Sequence, residues 1–66
     1  MNTSKMNASA YCRHIKGIVR QLAHSQGYYG RLAARLDELD AWDVFAANAR
    51  EAGVSDAVDL AIWLEC

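Results

Sequence analysis

The chain has 66 residues, 53% of them hydrophobic, with seven Lys and Arg against eight Asp and Glu, a formal net charge of −1. This length excludes a second domain and places the chain near the lower limit at which a core forms without staples. With no proline, four glycines and two cysteines lacking CxxC spacing, the composition favours helix over sheet and excludes a disulfide framework.

The expected architecture is all-α: one helical domain over residues 1–66, built as a compact bundle of three to four short helices behind a flexible tail at 1–6. Arg13, His14, Lys16 and Arg20 break every apolar run that a secretory leader would need, and no run approaches the roughly 20 residues of a membrane span. The expectation is therefore a cytoplasmic protein with no membrane partner, its two thiols reduced. Charge is distributed unevenly. Residues 1–36 hold Lys5, Arg13, Lys16, Arg20, Arg31 and Arg35 and no acid, whereas residues 37–66 hold all eight acids against Arg50 alone. Packing of the basic half against the acidic half is expected to align complementary charge.

In chain order, Asn7 is a candidate N-cap, followed by Ala8, Tyr11, Ile15, Ile18 and Leu22, joined by Cys12 and Val19, at the three- and four-residue steps of one helical stripe. Gly17 interrupts that helix and is expected to mark a close approach by a neighbour. Gly27, in the segment SQGYYGRL, is expected to close the first helix in the left-handed conformation, with the Gly27–Gly30 corner reversing the chain. Tyr29, Leu32, Ala33, Leu36 and Leu39 form the next stripe; Tyr28 and Tyr29 point in different directions, so one is expected to pack and the other to be at least partly exposed, and the sequence leaves open which. Asp40 reads as the cap of a third helix carrying Trp42, Phe45, Ala46 and Ala49, with Asp43 three positions on as in a capping box. Gly53 ends it and Ser55 caps the last helix, with Asp56 and Asp59 in its first turn. That helix, AVDLAIWLEC, is apolar nearly all round, as a central or an interfacial helix is, and here it is expected to fill the middle of the bundle.

Few motifs carry chemistry. Residues 19–38 can be laid on a helix-turn-helix, with Ala23, Gly27, Tyr28, Ala33 and Leu36 at the small, turn and apolar positions, and Arg13, Lys16, Arg20 and His24 share a face of the first helix. Arg31 and Arg35 are the only cations of the second helix, however, and Asp37, Glu38 and Asp40 follow at once with the wrong sign for phosphate. GYYG matches the GxxG of KH domains, but no period-2 segment supplies their sheet. His14 and His24 are too far apart for HxxxH spacing, and Cys12 and His14 diverge by roughly 200° on a helix, so they form no nucleophile and base pair. The acids from Asp37 to Asp43 lack the glycine and alternation of a calcium loop. No catalytic residue, cofactor site or metal site is assigned, and the chain reads as non-enzymatic.

SQGYYGRL and the closing DAVDLAIWLE resemble segments of short, uncharacterised bacterial proteins, often linked with mobile elements, that carry an SQGxYGRL-type junction. The resemblance covers roughly residues 15–66. It implies an intracellular helical protein and brings no activity or site residue. The functional expectation is a small protein-binding or regulatory module, acting on a protein partner or by self-association. Its candidate contacts are Tyr28, Tyr29, Arg31, Arg35 and Trp63. A helix-turn-helix-like DNA-binding protein is the alternative.

Overall fold

Asn7 opens the first helix as expected. Its backbone is extended and its Oδ1 accepts the Ala10 N–H at 2.8 Å, satisfying one of the donors a helix start leaves without a partner. The computed structural model describes residues 6–65, which form α1 (Ala8–Ala23), α2 (Gly27–Leu39), α3 (Trp42–Glu51) and α4 (Ala57–Glu65). No strand occurs among the described residues. Met1–Lys5 of the expected tail and the terminal Cys66 lie outside them. Met6, also assigned to the tail, packs partly buried against the core.

Tyr11, Ile15 and Val19, at four-residue steps, place the buried stripe of α1 at the centre of the bundle. Against it pack Tyr29, Ala33 and Leu36 of α2, Trp42, Ala46 and Ala49 of α3, Val54 of the following linker and Leu60 of α4. Full burial of each larger apolar side chain contributes roughly 1.5–3 kcal/mol. The radius of gyration, 11.0 Å, is that of a compact chain of this length. α1, not α4, is the middle of the molecule, since α1 packs on each of the other three helices. α4 buries only Leu60 and turns Val58 and Ile62 to solvent. Its nearly uniform apolar sequence therefore does not come from a central position.

The helix junctions differ from expectation where backbone geometry decides them. α1 ends at Ala23 with His24 in the right-handed region, and the reversal uses residues 24–26; Gly27 and Gly30 are the first turn of α2 rather than the corner. Gly30 is the glycine that faces another helix: a Cβ there would lie 4.0 Å from the Ala23 Cβ, an ordinary van der Waals contact, so small residues line the α1–α2 seam at this point. Gly17, where a close neighbour was expected, is exposed with nothing within 4 Å of a Cβ. The left-handed residues are Asp40 (φ 52°) and Gly53 (φ 83°). Asp40 thus ends α2, its N–H reaching back to Leu36 and Asp37 carbonyls, instead of opening α3, whose N-cap is Ala41 without a side-chain bond. Aspartate is among the few non-glycine residues that tolerate this region. At α4 the capping acceptor is Asp56, which takes the Asp59 N–H at 2.9 Å, while the Ser55 hydroxyl donates to the Asp59 carboxylate at 2.8 Å.

Polar groups of α1 fix the linker before α4. The buried Tyr11 hydroxyl donates to the Val54 carbonyl. His14 Nε2 lies 2.7 Å from the Ser55 carbonyl, so that nitrogen carries the proton it donates. The Arg50 guanidinium lies over the Tyr11 ring, 5.3 Å from its centroid, and donates to the Met6 carbonyl. By contrast, the basic and acidic halves form a single ion pair among the described residues, Arg20–Asp37 at 3.4 Å, so broad charge matching does not hold the fold. Half-exposed on both sides, this pair contributes about 0–1 kcal/mol.

Two changes test these assignments by urea denaturation. Tyr11→Phe should cost about 1–3 kcal/mol, because it leaves a buried carbonyl without its donor; a change below a few tenths would remove the linker clamp. Gly17→Ala should add about 1 kcal/mol, the helix-propensity difference at an open, exposed site. Destabilisation there would mean that the position is occupied by something the described surface does not contain.

Candidate interaction surface

The paired tyrosines at the start of α2 divide between core and surface. Tyr29 is 5% exposed and belongs to the buried cluster, whereas Tyr28 is 51% exposed. The rings meet edge to face at 5.2 Å between centroids, so a rigid core residue supports an exposed one. Gln26 precedes them in extended conformation and caps nothing with its side chain. The Arg31 guanidinium folds back toward Gly27, its Nη1 3.9 Å from where a Cβ would stand.

Arg31 and Arg35 are exposed on the same outer side of α2 as Tyr28, and neither has an ion pair among the described residues. Leu39, 57% exposed, extends this face and is not part of the buried stripe to which its sequence assigned it. Helical arithmetic carries the signal: at 100° per residue Leu36 lies about 20° from Tyr29, and Leu39 about 80° away, toward Tyr28. Tyr28, Leu32, Arg35 and Leu39 thus recur at steps of four, three and four along an exposed edge, with Leu32 half-buried at its inner border.

The α1 cations lie elsewhere. Lys16 Nζ is 5.4 Å and the Arg20 guanidinium 6.0 Å from the Trp42 ring centroid, and Asp37 joins this cluster by accepting the Trp42 Nε1 proton at 2.6 Å. The groove between α1 and α2 is lined by Arg20, Ala23, His24, Gly30, Ala34 and Asp37, without Arg31 or Arg35. Lys16 and Arg20 are therefore already engaged by an indole face, and the α2 cations point away from them.

Trp63 is half-buried, its ring 5.4 Å from Phe45, and with Val54, Asp59 and Ile62 it borders a shallow groove at the α3–α4 turn. It does not join Tyr28 directly. A separate groove, which Trp63 does not line, sets Gln26, Tyr28 and Tyr29 against Leu64 and Glu65, so the start of α2 lies beside the end of α4. Beyond it α4 exposes Val58 (66%) and Ile62 (58%).

The remaining reactive side chains are tied into structure. His14 serves the linker bond described above. Burial raises the Cys12 thiol above its ordinary value, the Asp43 carboxylate that accepts its proton raises it further, and Lys16 opposes this more weakly. Among the described residues no group of three or more His, Cys, Asp or Glu is placed to hold a metal ion, and no helix is long and apolar enough to cross a membrane. No protein-family model, curated protein or solved structure matches the chain.

The state of Cys12 can be read from its alkylation rate against pH in Cys66→Ser protein. The midpoint should lie above that of an unfolded cysteine peptide, and Asp43→Asn should lower it, because the carboxylate stabilises the thiol rather than the thiolate. A midpoint at or below the peptide's would mark a reactive cysteine.

Proposed function

We propose that the chain is a small non-enzymatic protein-binding module whose contact surface is the outer face of α2, with Tyr28 as its anchor. The observation that carries this reading is the exposure of a tyrosine braced on a buried one, beside two arginines without ion pairs and an exposed leucine. Tyrosine and arginine are the side chains that concentrate binding energy at protein interfaces, provided an apolar surround excludes water from them. The resemblance of SQGYYGRL and DAVDLAIWLE to small mobile-element proteins supports a regulatory role, in which such a module blocks or recruits a larger protein.

Duplex DNA is less well served by this surface. Glu38 is exposed beside Arg31 and Arg35 on α2, and Asp37 shares an ion pair with Arg20 where phosphate would have to approach. The test is capture on the immobilised chain in about 0.1 M salt. A protein retained by the native chain and by Val44→Ala, but lost with Tyr28→Ala/Arg31→Ala at an unchanged melting temperature, is the expected result. Retention by the double variant would move the site away from α2. A salt-sensitive gel shift on duplex DNA that the same variant weakens would replace this reading with the nucleic-acid one.

A further inference from the structure

Resting on that reading of α2, we infer that its partner is a second copy of this chain, bound by seating the outer face of α2 on the outer face of α4. The two faces are complementary in charge where the arginines stand, although Glu38 beside them leaves the α2 face a net charge of only +1. α2 offers Arg31 and Arg35 between the apolar Tyr28 and Leu39, whereas α4 offers Val58, Ile62 and Glu65 at steps of four and three and contains no cation. Glu65 closes a helix whose last turn has no basic residue, where the helix dipole disfavours a carboxylate. A guanidinium from outside would offset that cost and form a paired, bidentate contact.

The layout of one copy suits a two-fold arrangement. Because the start of α2 lies beside the end of α4 in the Tyr28–Glu65 groove, a two-fold axis running between the helices lays α2 of each copy antiparallel on α4 of the other. Arg31 then stands level with Glu65, and Leu39 with Val58. At 1.5 Å per residue the first pair of α2 positions spans roughly 12 Å and the matching α4 positions roughly 10 Å. The Arg35 stem covers Ile62 between them, its charged head remaining at the rim. The contact is isologous, so it closes at two copies. A weak dimer burying about 600 Å² on each chain would use about one-eighth of the 4466 Å² surface, and it would cover Tyr28, Leu39, Val58 and Ile62, four of the five large hydrophobic side chains exposed among the described residues.

The experiment is sedimentation equilibrium over concentrations from roughly 1 µM to 1 mM, at about 50 mM and about 500 mM salt, with circular dichroism to confirm that each variant is folded. The native chain should dimerise, more weakly at high salt. Arg31→Glu and Glu65→Arg should each weaken dimerisation at least tenfold. Their equimolar mixture should regain native affinity, because each variant then presents to the other the charge it lacks. Val58→Glu should weaken it regardless of salt and should not be rescued by either charge variant. A monomer at every concentration, or a dimer indifferent to these changes, would overturn the inference. A monomer that still captures a protein through Tyr28 and Arg31 would overturn the dimer alone and leave α2 as the site for a different partner. A dimer broken by these changes in a chain that captures nothing else would confine the binding function to self-association.

Discussion

Much of this fold depends on how one phenol is buried. Tyr11 is 1% exposed at the centre of α1, and burial alone would leave its hydroxyl without water, a cost of roughly 1–3 kcal/mol. Donation to the Val54 carbonyl removes that cost and, in the same bond, fixes the linker that carries α4. His14, one turn away on the exposed side of the stripe, repeats the device on the Ser55 carbonyl, and Arg50 covers the ring from α3. Burial raises the Tyr11 pKa, against the weaker pull of Arg50, so the phenol remains a donor throughout the neutral range. α1, α3 and the linker are therefore joined through one side chain. The exposed Arg20–Asp37 pair could be lost with little effect by comparison.

This arrangement consumes the interior early. With α1 contacting all the other helices, α4 can reach the core only through Leu60 and the half-buried Trp63 and Leu64. A chain of this size has too little interior to cover the side chains that remain. Among the described residues, Tyr28, Leu39, Val44, Val58 and Ile62 are the large hydrophobics left outside. Single exposed apolar residues are ordinary on protein surfaces. Four of these five, however, fall on two helices whose ends meet at one groove, with Val44 the exception on α3. It is this clustering, rather than exposure as such, that supports the proposed interface.

The helices and their buried stripes were legible in the sequence because they follow from periodicity. Asn7, Tyr11, Ile15, Val19, Tyr29, Ala33, Leu36, Trp42, Ala46 and Ala49 take the places that spacing assigns them. What periodicity could not supply was which glycine bends, which approaches a neighbour and which does neither. Gly53 has the positive φ, Gly30 a neighbour at van der Waals distance and Gly17 open space. Gly53 stands apart by its backbone at a helix end, whereas Gly30 and Gly17, both within helices, differ in what lies beside them. Asp40 escaped for a related reason, since an aspartate between two helices can end the first or open the second, and only backbone direction separates the two. The apolar run of α4 suggested a helix in the middle of the bundle, and that was wrong: composition does not say whether an apolar face is covered by the rest of the chain, and α1 holds the middle instead. The candidate surface was partly legible. Tyr28, Arg31 and Arg35 share an outer face, whereas Tyr29 is core, Trp63 leans on Phe45, and Leu39 was hidden by a stripe drawn one residue too long.

The separation of charge along the chain acquires a different meaning once folded. Had the basic half been neutralised by the acidic half, Arg31 and Arg35 would carry no information about partners. Instead the fold engages Lys16 and Arg20 with Trp42, and Arg20 with Asp37 as well, and sets Arg31 and Arg35 apart from them on the outside of α2. A phosphate backbone drawing on both clusters would also meet the carboxylates of Asp37, paired with Arg20, and of exposed Glu38 on α2. A protein surface carrying one or two carboxylates among apolar side chains needs only the α2 cluster, where an arginine beside Tyr28 and Leu39 can be desolvated while its charge is paired. At about 8 Å of screening length in physiological salt, charges so placed act on whatever is seated against them and not on the molecule at large, so the face proposed here would favour a partner that is apolar at its centre and acidic at its edge.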